Sequence, residues 1–266
     1  MSYTVNCSIL LADLPLLERP AAAKQAGFDA VEFWWPFATA VPEQSELDAF
    51  TGAIEAAGVQ LSGLNFFAGD MPGGDRGLVS WIGRENEFRD NVEVVVQIGE
   101  RLGTKAFNAL YGNRIDGADP AEQDALAVEN LAIAAKAVAR IGGIVLLEPV
   151  SGTPSYPLKT AAEAVAVIER VRAEHGVDNI RLLADFYHLA VNGDDVDAVI
   201  AAHGAGFGHI QIADAPGRGE PGTGELPLNR WIDNAQQYGY DGYIGLEYKA
   251  TQPDPFAWVG ASAAAQ

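Results

Sequence analysis

Gly142-Gly143-Ile144-Val145-Leu146-Leu147-Glu148-Pro149 is an aliphatic run, opened by two glycines, that delivers a carboxylate and stops at a proline. An uninterrupted apolar run of this length reads as a strand buried on both faces, as in the middle of a parallel sheet. Proline cannot donate to the ladder, so the strand ends there, with Glu148 at its C-terminal lip. Three later segments repeat the design: Ile180-Arg181-Leu182-Leu183-Ala184-Asp185, Phe207-Gly208-His209-Ile210-Gln211 and Tyr243-Ile244-Gly245-Leu246-Glu247. Each is an apolar strand that ends in one oxygen-bearing side chain. On parallel neighbours, Glu148, Asp185, Gln211 and Glu247 gather at one end of the sheet, and the pattern predicts a metal site.

The remaining chain alternates in the same way. Strands are predicted at Tyr3 to Ile9, Phe28 to Trp34, Val59 to Leu64 and Thr104 to Leu110. Helices are predicted from a cap at Asp13 to about Ala26, closed by Gly27, and from about Glu43 to Ala57, ended by Gly58. Others follow over Arg84 to Leu102, Asp119 to Ile141, Thr160 to Glu174, Asp194 to Ala202 and Pro227 to Tyr238. Strict alternation with right-handed crossovers predicts an α/β fold, a single-domain (β/α)8 TIM barrel over residues 1–250. The eighth helix is short or missing, and 251–266 forms a C-terminal tail whose end, Gly260 to Gln266, is expected to fray. A doubly wound open sheet is the alternative, but the first βα connection, Ile9-Leu10-Leu11-Ala12-Asp13, lacks a glycine-rich phosphate fingerprint. The connection Asn65 to Gly83 is long for a loop inside a compact domain, and its place after a strand suggests a lid.

Composition narrows the partners. With 48% hydrophobic residues the chain can bury a large core, and its formal net charge is −19. No basic stripe offsets phosphate repulsion, so nucleic acid and anionic membrane are poor partners. The single cysteine, Cys7, excludes an intrachain disulfide and suits a reducing compartment. The N-terminus does not read as a signal peptide and no stretch reaches the ~20 apolar residues of a membrane helix, so a cytoplasmic protein is expected. A homo-oligomer is compatible with the sequence.

Three carboxylates and an amide oxygen are hard donors, suited to Mg²⁺ or Mn²⁺ rather than to zinc or copper. A lone acidic residue at a strand end is more often a helix cap. Four donors on successive strands are not, because crowded carboxylates repel unless a cation compensates them. His188, one turn past Asp185, is placed to reach a substrate oxygen, with helix capping as its alternative. His209 points to the same side as Gln211, one layer deeper. Arg218 is the only cation of the glycine-rich loop Ala213 to Glu225 and is suited to an anionic or polyhydroxylated substrate, unless it bridges Asp214 or Glu220. Lys249, two residues past Glu247, is a second candidate for the same role. Asn65, Phe66 and Asn108 end strands three and four and could line the pocket, which Trp34 and Trp35 would wall on one side.

The chain resembles the hydroxypyruvate isomerase family of the xylose-isomerase-like TIM barrels. The resemblance is carried by Gly27-Phe28-Asp29-Ala30-Val31-Glu32-Phe33, Glu148-Pro149, Asp185-Phe186-Tyr187-His188, His209-Ile210-Gln211-Ile212-Ala213-Asp214, Pro216-Gly217-Arg218, Glu220-Pro221-Gly222-Thr223-Gly224-Glu225 and Glu247-Tyr248-Lys249. It implies Glu148, Asp185, Gln211 and Glu247 as ligands of a divalent metal, Glu148 and Glu247 as the catalytic proton-transfer pair, and His188 and Arg218 as substrate contacts. The activity it implies is isomerisation of a small hydroxy-oxo acid through an enediolate, hydroxypyruvate to tartronate semialdehyde or a 2-oxo-tetronate. A ketose 3-epimerase or a sugar dehydratase on the same scaffold is the alternative. Gly219 and the stretch Ser151-Gly152-Thr153-Pro154 depart from the family pattern beside the substrate.

Overall fold

Strands β1 (Tyr3–Asn6), β2 (Ala30–Phe33), β3 (Gln60–Asn65), β4 (Ala106–Asn108), β5 (Ile144–Leu147), β6 (Ile180–Asp185), β7 (Phe207–Ile212) and β8 (Ile244–Leu246) form a closed barrel in sequence order. All eight pairings are parallel, and β8 closes on β1. The structure is a computed structural model and describes residues 2–259. The α/β barrel read from the sequence is the fold.

Two irregularities of register aim side chains at the strand ends. Opposite Val31–Glu32, β3 carries an extra residue, Ser62; opposite Leu182–Leu183, β7 carries Gly208. Bulges of this kind bend a strand and re-aim its side chains. A Cβ at Gly208 would lie 2.5 Å from Leu146 Cδ2 and 2.6 Å from Arg181 Cβ, so only glycine fits there. Beyond the bulge Asp185 stands opposite Gln211.

The helices are α1 (Arg19–Gln25), α2 (Gln44–Ala57), α3 (Glu85–Leu102), α4 (Pro120–Ala139), α5 (Ala161–His175), α6 (Phe186–Val191), α7 (Val196–His203) and α8 (Leu228–Gln237). Local chemistry sets their ends. Asp119 caps α4 through a 2.8 Å bond from the Ala121 amide, Thr160 and Glu163 form a capping box on α5, and Gly176 ends α5 at φ 65°. The inward face of α3 buries Phe88, Val92 and Val95 against the barrel.

Several predicted bounds shift. Asp13 caps nothing: Leu16–Glu18 forms a 3₁₀ turn and α1 begins at Arg19, since Pro15 disfavours helical backbone at the residue before it. β1 stops at Asn6, whose carbonyl turns back to accept from the Leu10 amide at 3.0 Å. The helix expected from Asp194 begins at Val196 with Asp195 as cap, because Asp194 accepts instead from the Ala161 amide at 2.7 Å. A short helix, α6, was not expected at all; Asp185 caps it by accepting from the His188 amide at 3.1 Å. After β8 the chain is helical only over 257–259, at the limit of the described residues, and Gly260 to Gln266 lie outside them. Among the described residues no helix is long and apolar enough to cross a membrane.

Candidate active site at the C-terminal mouth of the barrel

The strand ends and following loops enclose a cavity of about 1380 Å³. Its wall carries Asn65, Glu148, His188, Arg218, Glu247 and Lys249, with both Trp34 and Trp35 on it as well. Phe67 to Pro72, from the long loop after β3, line it too. That loop is tied to α3, where Asn91 accepts from the Phe67 amide at 2.8 Å. Asp185, Gln211 and Asn108 are buried and do not form part of the wall. Phe66 is not a lining residue: it packs in the core with its ring 5.4 Å from Phe88.

Burial without hydrogen-bond partners marks the donor set. Asp185 Oδ2, Gln211 Oε1 and Asn108 Oδ1 are buried acceptors that no donor among the described residues satisfies. Orphaned buried acceptors are costly and rare, so three near the strand ends suit a group that supplies positive charge. Carboxylate oxygens of Glu148 and Asp185 and a ring nitrogen of His188 lie within 4.8 Å of one another. Hard oxygens dominate this donor set, so it fits a divalent cation. Glu247 is not part of that cluster. Arg218 Nη2 lies 2.5 Å from Glu247 Oε1 and 3.8 Å from Asp185 Oδ2.

Arg218 therefore bridges neither of the partners considered from the sequence. Asp214 is occupied by the amides of Ala215, Gly222 and Leu226, and Glu220 by Thr251 and Gln252. Those two carboxylates hold the loop in shape, and Arg218 is carried inward at φ 60°, a left-handed backbone that costs about 1–2 kcal/mol for a non-glycine residue. Its guanidinium lies over the Tyr187 ring at 5.4 Å. Burial alone would lower the Arg218 pKa, but Glu247, Asp185 and Glu148 outweigh it and hold the pKa above its ordinary value. Lys249 is exposed, and its backbone amide donates to the Arg218 carbonyl at 2.7 Å.

The two glutamates are both buried. Burial, and then the charges of Glu247 and Asp185, raise Glu148 well above the usual carboxylate range. Glu247 is pushed up to about 8, mainly by burial, with Arg218 opposing and Asp185 and Glu32 adding to the rise. Asn108 Nδ2 donates to Glu148 Oε2 at 2.8 Å.

His188 is held in one tautomer. Its Nδ1 accepts from the Ser151 amide at 3.0 Å, so the ring proton sits on Nε2. Burial lowers its pKa to about 4, keeping it neutral. Nε2 lies 3.7 Å from Asp185 Oδ2 and 3.9 Å from Glu148 Oε1. It reaches the site as a donor.

Reading the sequence missed Glu32 and Asn6 as site residues, and named Ser151 only within a departure from the family pattern. His209, expected one layer deeper, lies 2.7 Å from Glu32 Oε2 through Nε2. Asn6 Nδ2 donates to Glu32 Oε1 at 3.1 Å and to Glu247 Oε2 at 2.8 Å. The signal was available: Asn6 and Glu32 are polar residues on apolar strands, the pattern that identified the other four.

A barrel with an acidic, oxygen-rich mouth has known counterparts. The sequence matches the family described as xylose isomerase-like TIM barrel over residues 20–265. A Streptomyces coelicolor protein provisionally named hydroxypyruvate isomerase is 54% identical over 99% of this chain and 97% of its own. A 2-oxo-tetronate isomerase from Cupriavidus necator is 34% identical over 93% of this chain and 92% of its own. The crystal structure of a Brucella melitensis protein called AP endonuclease, family 2, aligns with TM-score 0.87 at 30% identity, covering 98% of each chain. The chain belongs to the xylose isomerase-like TIM barrel family and, within it, to the hydroxypyruvate isomerase family. It is an enzyme of the isomerase class.

Proposed function

We propose that the protein isomerises a small hydroxy-oxo acid, with hydroxypyruvate and tartronate semialdehyde as the leading pair and a 2-oxo-tetronate next. The observation that carries this reading is the pair of buried glutamates flanking the unpartnered oxygens of Asp185 and Gln211. Glu148, Asp185, Gln211 and Glu247 would hold a divalent cation, Mg²⁺ or Mn²⁺. When bound, that cation polarises the substrate carbonyl and adjacent hydroxyl oxygens and makes the intervening C–H bond more acidic. Glu148 takes the proton from C3 and returns it to C2, since its raised pKa suits a group that must hold a proton between the two transfers. Glu247 and the Nε2–H of His188 manage the protons on the substrate oxygens. Arg218 pairs with the substrate carboxylate, and Trp34, Trp35 and Phe67 exclude water around it.

The cavity is large for a three-carbon acid, which keeps the four-carbon acids, and epimerisation of a ketose, as the nearest alternatives. The endonuclease named among the similar structures would act on a polyanion, which a chain of net charge −19 repels. The deciding experiment assays chelated and Mg²⁺- or Mn²⁺-loaded protein against hydroxypyruvate, 2-oxo-tetronates and ketohexoses. Turnover of the acids is expected, lost on chelation and restored by the ion. Full activity in protein shown to be metal-free would overturn the ligand assignment, and preference for neutral ketoses would overturn the substrate assignment.

A further inference from the structure

We infer that Glu32, which lies outside the proposed ligand set and off the cavity wall, is the positioning residue that gives Gln211 its cation-binding face. The inference rests on the cation site proposed above. A glutamine amide can sit either way round in its pocket at equal volume, but only the oxygen can bind a cation. Gln211 Nε2 donates to Glu32 Oε1 at 2.7 Å and to Glu247 Oε2 at 2.7 Å, which uses both of its N–H groups. Turning the amide over would set Oε1 against two carboxylate oxygens at those distances. The observed orientation leaves Oε1 as the buried, unpartnered atom.

Glu247 cannot fix this orientation alone. Its Oε2 is shared with Asn6 and, at 3.3 Å, with Trp34 Nε1, and its proposed role requires it to turn toward a cation. Glu32 has no such second duty. His209 Nε2 at 2.7 Å and Asn6 Nδ2 at 3.1 Å hold its carboxylate in place from two further strands. Backbone shape reserves the space: Gly245 stands opposite Gln211, and a Cβ there would lie 2.8 Å from Gln211 Cγ and 2.9 Å from Glu32 Oε1. Glu32 in turn stands opposite Gly63. The arrangement runs His209 to Glu32 to Gln211, with the amide oxygen at its upper end. Partners of this kind that orient ligands typically change metal affinity by about 10–100-fold when removed.

The test is Mn²⁺ binding to the full-length protein, read from the electron paramagnetic resonance of the free ion, with melting temperature recorded in parallel. Glu32→Ala removes every acceptor and should raise the Mn²⁺ Kd by about 10–100-fold. Glu32→Gln removes the charge but keeps one oxygen for the Gln211 amide, and should stay within about threefold of wild type. In a Gln211→Leu background Glu32→Ala should cost no further affinity, because the atom it orients is gone. Should Glu32→Ala not fold, Glu32→Met fills the volume without an acceptor and carries the same expectation. Equal losses for Glu32→Ala and Glu32→Gln would mean that only charge acts, and would overturn the inference. So would an unchanged Kd in folded Glu32→Ala. If wild type binds no Mn²⁺, or Gln211→Leu binds it as wild type does, the cation-site reading itself fails and takes this one with it.

Discussion

Glu148 at the end of β5 and Glu247 at the end of β8 have the same side chain and similar burial, yet their surroundings differ sharply. Glu247 accepts from Arg218 on one oxygen and from Asn6, Gln211 and Trp34 on the other. Among the described residues the Glu148 carboxylate accepts from Asn108 alone, and its other oxygen is 3.9 Å from the neutral His188. Hydrogen bonds and positive charge favour the ionised form, so Arg218 and Trp34 restrain the rise of the Glu247 pKa to about 8, while at Glu148 burial and two neighbouring carboxylates outweigh Asn108 and Arg218. In a shared low-dielectric site, donor count rather than burial separates the two environments. The β8 side of the mouth is a braced wall; the β5 side is where a proton is easiest to place.

The comparison can be broken most directly by neutralising each glutamate. Glu148→Gln should lower kcat by about 10²–10⁴-fold with KM little changed, the scale of a lost general base. Glu247→Gln should lose less in kcat and more in KM, because its amide must face Arg218 on one side or three N–H donors on the other. Steady-state kinetics on hydroxypyruvate checks both, and identical profiles for the two variants would make the pair symmetric.

Removing the guanidinium that distinguishes the two sides gives a smaller effect. Arg218→Met should raise KM for the acid by an amount equivalent to about 1.5–3 kcal/mol, while a neutral ketose is affected mildly. Because Arg218 opposes the rise of the Glu247 pKa, the limb of the pH–rate profile that reports Glu247 should also move upward. A loss of equal size for acid and neutral sugar would show that Arg218 grips hydroxyls.

The smallest effect lies in stability. Glu148 and Glu247 bind protons more tightly in the folded chain than their ordinary 4.5, so protonation favours folding. The stability this contributes is complete below pH 4.5 and is lost as the pH rises through about 8. His188 acts in the opposite sense, but only below its ordinary 6.5. Between pH 6.5 and 8, chelated protein should therefore lose stability as pH rises, on the order of 1 kcal/mol or a few degrees of melting temperature. Excess Mg²⁺ should flatten that slope, because a bound cation favours the ionised carboxylates. Calorimetric melting in chelator and in Mg²⁺ compares the two, and coincident slopes would mean that the carboxylates do not face the ion.

Much of the barrel was legible because its signals are local. Apolar runs closed by Pro149, a helix end set by Gly58, and strict alternation depend on residues near one another in the chain. The helix starts were less legible where two candidate caps compete: Asp194 and Asp195 are adjacent, and only packing against α5 decides that Asp194 serves Ala161. Lys249 and Asn65 were placed on the cavity wall from their strand-end positions, whereas Phe66 turned into the core between α3 and β4.

The sequence by itself determined the strand ends on which Glu148, Asp185, Gln211 and Glu247 sit, since chain order and the pleat dictate which side chain reaches the lip of a parallel strand. Only the tertiary structure decided what each oxygen does there. Arg218 chose Glu247 and Asp185 over its neighbours in the loop, His188 received its tautomer from Ser151, and Glu32 turned the Gln211 amide from across the barrel. Glu32 and Gln211 are 179 residues apart, and Arg218 and Glu247 29. No local pattern encodes contacts at such separations; they exist because closing the barrel brings β2, β7 and β8 around one buried layer, where every polar atom must find a partner.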